Sequence, residues 1–222
     1  MTITCGLDEA GRGPVFGPLV IAGVILDDAG REKLKKVGVK DSKKLSPSKR
    51  KELEPIIKEA AMEYRIISIP PREVDMKRKR ISITELEAQK MAEILLDFDV
   101  SPSLIFVDAA DSQAERFLLR IMAWIHRRNP EFRLPEVICE HKADDNYLEV
   151  AAASILAKVE RDRQIEELKL KIGEFGSGYP SDPLTQAFLK RWRENGKELP
   201  ECVRKSWSTI SNAQQSKLVD FE

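Results

Sequence analysis

Two adjacent carboxylates, Asp8 and Glu9, close the first apolar run and are followed at once by Ala10-Gly11-Arg12-Gly13-Pro14. A strand can deliver such a pair to the edge of a sheet, and small residues beyond it let another backbone approach closely. Asp108 follows Ser103-Leu-Ile-Phe-Val107, and Asp144 follows Val137-Ile-Cys-Glu-His-Lys-Ala143, so three strand-like runs end in acid. Oxygen-rich clusters of this type suit Mg²⁺ or Mn²⁺, which take carboxylates and keep several waters. An acid at a strand end also serves as a helix cap, and for any one of these sites alone that reading stays open. A zinc site fits poorly, because Cys5, Cys139, Cys202, His126 and His141 lack metal-ligand spacing.

Hydrolysis of a phosphodiester needs an activated water, stabilised charge on the leaving oxygen and a neutralised phosphate. Two divalent ions held by carboxylates on rigid elements supply all three. Asp8, Glu9, Asp108 and Asp144 are the candidate cradle. Neighbours in a regular strand face opposite ways, so the strand is expected to end or twist where Asp8 and Glu9 stand. Competing chemistries have weaker support. Gly11, Gly13 and Gly17 miss the dinucleotide spacing, Pro14 removes an amide that a phosphate loop would use, and no Walker motif is present. With two histidines in the chain, a positioned partner for a nucleophilic Ser or Cys is poorly supplied.

The elements that position these acids can be read from periodicity and punctuation. Residues 3–7 and 19–26 read as strands bracketing the glycine loop, and 63–69 alternates like a third. Ser46-Pro47 opens a helix to about Met62. Thr84-Glu-Leu-Glu87 and Ser112-Gln-Ala-Glu115 fit the capping box and start helices running to Phe98 and Arg128. Strands are expected at 104–107 and 137–140. A small-residue face, Ala151-Ala-Ala-Ser-Ile-Leu-Ala157, begins a helix that continues to Ile172, with Gly173 as its stop. Helices at 184–194 and from Thr209 follow. Strands first, then helix and strand in turn, give an α/β layer with a mixed central sheet. Residues 1–172 are expected to form the catalytic domain, and 173–222 a helical C-terminal extension packed on it.

At 222 residues the chain can bury one substantial core. Formal net charge is zero, so attraction for a polyanion must come from segregated charge. Bases far outnumber acids between Arg31 and Lys51, and Lys77-Arg-Lys-Arg80 adds a second block; either could equally be a solvated helix face. The longest apolar run, Leu19 to Leu26, is too short to span a bilayer. Three scattered cysteines argue against a disulfide framework, and a cytoplasmic location is expected.

Six blocks in order, Gly6-Leu-Asp-Glu-Ala-Gly-Arg-Gly-Pro14, Lys40-Asp-Ser-Lys-Lys-Leu-Ser46, Val107-Asp-Ala109, His141-Lys-Ala-Asp144, Ala151 to Asp162 and Gly176-Ser-Gly-Tyr-Pro-Ser-Asp182, resemble ribonuclease HII in its archaeal form. The resemblance implies a ribonuclease-H-like fold and metal-dependent endonucleolytic cleavage of RNA in RNA/DNA hybrids and at ribonucleotides embedded in duplex DNA. It implies 3′-hydroxyl and 5′-phosphate ends. It assigns the metal ligands to Asp8, Glu9, Asp108 and Asp144, and reading of the ribonucleotide 2′-hydroxyl to Gly11, Arg12 and Gly13, largely through backbone. Tyr179 is implied to stack on the sugar of the next nucleotide, and within the Lys40 to Ser46 element we take Lys43 as the phosphate contact. The alternatives are another nuclease or resolvase of the same fold, or a non-catalytic nucleic-acid-binding module. A monomer is expected.

The sequence Gln215-Ser-Lys-Leu-Val-Asp-Phe221 matches the start of a sliding-clamp (PCNA) binding peptide, with Gln215, Leu218 and Phe221 as anchors. Glu222 stands where a second aromatic usually does. The competing reading is a terminal amphipathic helix folded back on its own domain.

Overall fold

The computed structural model describes residues 2–39, 45–196 and 198–210. Five strands, β1 (Thr4–Ala10), β2 (Leu19–Leu26), β3 (Glu63–Ile69), β4 (Leu104–Asp108) and β5 (Glu136–Glu140), form one sheet in the order β3-β2-β1-β4-β5. The sheet is mixed. β2 runs antiparallel to β1 and β3, whereas β1, β4 and β5 are parallel. The continuous apolar run of β2 is explained by helices on both faces of the sheet, which bury every one of its residues.

On one face α4 (Ile83–Asp97) and α5 (Ala114–Arg128) pack Leu86, Met91, Ile94, Phe117 and Ile121 against Cys5, Leu7, Ile21 and Ile25. On the other lie α1 (Asp28–Lys36), α2 (Pro47–Ala60) and the long α7 (Leu148–Ile172). The small-residue face of α7 brings its first turn onto β1: a Cβ added to Gly6 would meet the Glu149 carbonyl carbon at 2.2 Å. Only glycine permits that approach, which sets α7 against the strand carrying Asp8 and Glu9.

Both helices expected to start at capping boxes start elsewhere. α4 begins two residues early, because Ser82 and Glu85 form the cap: the Glu85 N–H donates to Ser82 Oγ at 3.1 Å, leaving Thr84 and Glu87 free for other work. α5 follows Gln113 with no side-chain cap, since Ser112 instead donates to Asp111. α1, capped by Asp27, was hidden in the basic block, and α3 (Pro71–Arg78) is too short to show a period. Among the described residues of the block, Arg31, Lys33, Lys35, Lys49, Arg50 and Lys51 pair with acids.

After Gly173, α8 (Pro183–Glu194) and residues 198–210 pack on the turn beyond β1. Phe16 stacks on Phe175 with ring centroids 4.4 Å apart, and Phe188, Val203 and Ile210 complete that core. Among the described residues, no helix is long and apolar enough to cross a membrane.

Candidate active site

β1 runs on through Ala10 rather than ending at Leu7, but on one side only. Its ladder with β2 continues to Ala10↔Val20, whereas pairing with β4 stops at Leu7↔Val107. Beyond that point the Glu9 N–H donates to the Asp8 carboxylate at 2.7 Å. The pair therefore stands where the two central parallel strands part, at the carboxyl end of β4, the end of a parallel sheet at which sites are usually built. Asp108, the last residue of β4, lies close enough to both Asp8 and Glu9 for its charge to act on each.

Alternation along β1 sends the two acids to opposite faces. Asp8, buried to 4 % exposure, faces α7: the Ser154 hydroxyl hydrogen-bonds it, and Lys158, one turn further on, donates to Ser154 Oγ at 2.6 Å. Glu9 faces α4 and the buried Glu87. Burial, then the charges of Glu9 and Asp108, hold the Asp8 carboxyl well above the usual carboxylate range. Burial, then Glu87 and Asp108, push Glu9 up to about 8. Its Oε2 is enclosed without a hydrogen-bond partner. Anions so crowded and so poorly solvated fit a bound divalent cation, which would relieve both penalties. Among the described residues, no three Asp, Glu, His or Cys side chains close into a ready metal cage. The acids are gathered at one strand end and leave the cluster open.

Asp144 arrives by a separate device. Lys142 takes a left-handed conformation (φ 60°), unusual for a side-chain-bearing residue, and turns the chain after β5 so that the Ala143 N–H donates to Asp108 Oδ1 at 3.0 Å. Asp144 follows in the short helix α6 (Ala143–Asn146), almost fully buried, and lines a cavity of about 310 Å³ with Lys35, Tyr147 and Ala151.

The glycine loop and Tyr179 come together although 166 positions separate Gly13 from Tyr179. A Cβ on Gly13 would sit 3.3 Å from the Tyr179 ring, which is 45 % exposed. The Tyr179 loop is tied down by Asp182, which accepts from the Ser177 hydroxyl at 2.6 Å, and by the Gly178 N–H donating to Thr185 Oγ1 at 3.0 Å. The Arg12 side chain turns inward, pairing with Glu87 and donating to Thr84 Oγ1 at 2.9 Å, so backbone is what this position offers a ligand. Lys43, Gln215, Leu218 and Phe221 lie outside the described residues.

The family model for ribonuclease HII matches residues 5–210. Ribonuclease HII of Thermococcus sibiricus is 45 % identical over 210 residues, 95 % of this chain and 90 % of that protein. The chain belongs to the ribonuclease HII family. Its fold is that of the crystal structure of ribonuclease H2 from Pyrococcus horikoshii OT3, with a TM-score of 0.86 and 42 % identity over 97 % of this chain and 98 % of that one. The ribonuclease HII in a PCNA complex from Archaeoglobus fulgidus superposes with a TM-score of 0.81 at 43 % identity, covering 93 % and 95 % of the two chains. Membership makes this protein a ribonuclease H acting on RNA/DNA hybrids.

Sequence reading of this ribonuclease HII missed Glu87, Ser154 and Lys158 as neighbours of the acids. Glu87 was absorbed into a capping box that the structure moves to Ser82. Ser154 and Lys158 were visible only as members of the Ala151 to Asp162 block, and their spacing of four on one helix was the available signal.

Proposed function

We propose that Asp8, Glu9, Asp108 and Asp144 hold the divalent ions, Mg²⁺ or Mn²⁺ and two during catalysis, of an endonuclease that cuts the RNA strand of RNA/DNA hybrids. The same site would cut at ribonucleotides embedded in duplex DNA, leaving 3′-hydroxyl and 5′-phosphate ends. The single observation that carries this is the gathering of Asp8, Glu9 and Asp108 at the parting of β1 and β4, with Glu9 Oε2 enclosed and unpartnered. When bound, the ions would activate water and neutralise charge on the scissile phosphate.

The chain's own residues prepare that site. Ser154, itself held by Lys158, fixes one face of Asp8, and the Ala143 N–H fixes Asp108, so neither carboxylate need reorganise. Gly11, Arg12 and Gly13 would present backbone to the ribose, where a side chain would block approach. The half-exposed Tyr179 ring beside Gly13 would stack on the following sugar, where a second 2′-hydroxyl would crowd it, favouring RNA-to-DNA junctions. Lys43 would meet a backbone phosphate. Residues 1–172 would serve as the catalytic unit of a cytoplasmic monomer, with 173–222 as its extension. Gln215, Leu218 and Phe221 would dock on the cognate sliding clamp, a reading supported by the Archaeoglobus complex.

A duplex containing one ribonucleotide, incubated with Mg²⁺, with Mn²⁺ and with chelator, tests the reading. Cleavage 5′ to a phosphate at the ribonucleotide in either metal, and none with chelator, is expected. Metal-independent cleavage, or none in any condition, would remove it.

A further inference from the structure

The loop from Gly11 to Gly17 belongs to no strand or helix for most of its length, yet five of its carbonyls are engaged by two residues almost two hundred positions away. Arg204 reaches three with its side chain: Nη2 donates to Gly11 O at 2.6 Å, Nη1 to Arg12 O at 3.0 Å and Nε to Gly17 O at 3.0 Å. Its backbone N–H donates to Val15 O at 2.8 Å. The Trp207 indole N–H takes Gly13 O at 3.0 Å. A guanidinium offers five N–H donors in a fixed fork, which suits it to several carbonyls of an irregular loop.

Arg204 is fully buried, and burial together with the like charge of Arg161 holds its guanidinium down at about 9. Such a group is costly to bury and needs its carbonyl partners. The segment that carries it is itself held. Asp75 on α3 accepts from the backbone N–H groups of Lys205 and Ser206 at 2.8 and 3.0 Å. Two guanidinium groups lie over the Trp207 ring, Arg78 at 4.5 Å and Arg204 at 4.7 Å from its centroid. From below, Arg161 fills the space against Gly11, where a Cβ would meet its Cδ at 2.5 Å.

We infer that Arg204 and Trp207 are positioning residues for ribose recognition: by occupying the carbonyl side of the Gly11–Gly17 loop, they fix the backbone that reads the 2′-hydroxyl. The inference rests on the assignment of 2′-hydroxyl reading to Gly11, Arg12 and Gly13. Neither residue touches substrate in this scheme. Each sets how sharply the N–H side of the loop distinguishes a ribose from an analogue whose 2′ substituent is a poor hydrogen-bond acceptor.

The test compares two duplexes that differ at the scissile nucleotide alone, one carrying ribose and the other 2′-deoxy-2′-fluororibose. The ratio of kcat/KM on the two is measured for wild type, Arg204→Met, Arg204→Lys and Trp207→Phe. Loss of folded protein scales both rates alike and leaves the ratio unmoved, and the intrinsic reactivity of the fluoro sugar cancels between variants. Arg204→Met is expected to lower the ratio about tenfold, as several buried hydrogen bonds to one loop are lost together. Arg204→Lys should restore part of it. Trp207→Phe, which keeps an aromatic ring against Arg78 and Arg204, should lower it about threefold through one lost bond. If Arg204→Met fails to fold, Trp207→Phe decides. Unchanged ratios in the folded variants would overturn the positioning role. A wild-type ratio near one would instead remove the 2′-hydroxyl reading itself, and the positioning role with it.

Discussion

The carboxylate cluster and the glycine loop are joined end to end in sequence, yet the fold treats them oppositely. At Asp8, Glu9 and Asp108, like charges are gathered with too few partners, two carboxyls are held far above their ordinary range and one oxygen has no partner. From Gly11 to Gly17 five carbonyls are engaged by Arg204 and Trp207. The first region stores an unmet electrostatic demand that a divalent cation can meet. The second is satisfied before any ligand arrives, as a surface that selects by shape must be. On the proposed reading, reactivity and selectivity would be built from opposite degrees of satisfaction within ten residues.

Neutralising the crowded region is the most direct way to break the contrast. Asp8→Asn or Asp108→Asn should lower turnover on the order of a thousandfold or more, because a metal-positioning carboxylate is worth several kcal/mol in the transition state. The same change should leave the fold intact, and for Asp8 it should stabilise the protein in chelator at neutral pH. The sign follows from the raised pKa. Wild-type Asp8 contributes its full stability when protonated at acid pH and loses it as pH rises and the buried carboxyl ionises, whereas Asn does not titrate. Turnover in saturating Mg²⁺ and melting curves at several pH values check both halves. Near-normal turnover would take that residue out of the catalytic set.

Disturbing the satisfied region should cost less and cost it selectively. Tyr179→Ala should cut activity on a duplex with one embedded ribonucleotide about tenfold more than on a continuous hybrid, since stacking is typically worth about 1–3 kcal/mol and its partner there is a deoxyribose. An unchanged ratio of the two rates would return Tyr179 to a packing role beside Gly13. A gentler probe is Asp182→Ala. Hydrogen bonds from the Ser177 hydroxyl and backbone hold the Asp182 carboxyl at about 2, so the tie is intact at neutral pH and weakens as pH falls toward that value. Its loss should lower kcat/KM on the single-ribonucleotide duplex about threefold, by freeing the loop that presents Tyr179. Equal loss on both substrates would mean that the loop supports folding alone.

The two regions also differ in how far they could be read from sequence. Asp8, Glu9, Asp108 and Asp144 stood out because each ends an apolar run or follows one closely, and strand ends are marked by local hydrophobicity. The mixed sheet was legible for the same reason, and β3 was read to the residue. Arg204 and Trp207 left no comparable trace. Their contacts with the loop span 187 to 194 residues, and nothing near Val203 or Ser206 announces a partner at Gly11. Glu87 was misplaced because Ser82-Ile-Thr-Glu85 and Thr84-Glu-Leu-Glu87 overlap as capping signals, and only packing against Arg12 separates them. The basic block from Arg31 was visible as charge, but its pairing with acids on other helices was not.

The smallest effect on chemistry is expected at the end farthest from both regions in sequence. Deleting Gln215 to Glu222 should leave cleavage of short oligonucleotides unchanged, because among the described residues the acids and the glycine loop receive their contacts from residues up to Trp207. It should weaken association with the cognate sliding clamp, for which Leu218 and Phe221, three apart, can share one face of a helical turn. A peptide of this length buries little area, so an affinity of roughly micromolar is expected. A tail folded back on its own domain predicts the converse: deletion would expose apolar surface and lower the melting temperature with no clamp present. Calorimetric titration of clamp into intact and truncated protein, with thermal melts of both, separates the two. Equal clamp binding by both forms would exclude the docking peptide, and a lowered melting temperature would tie the tail to the Ile210 core that helps hold Trp207 over the loop.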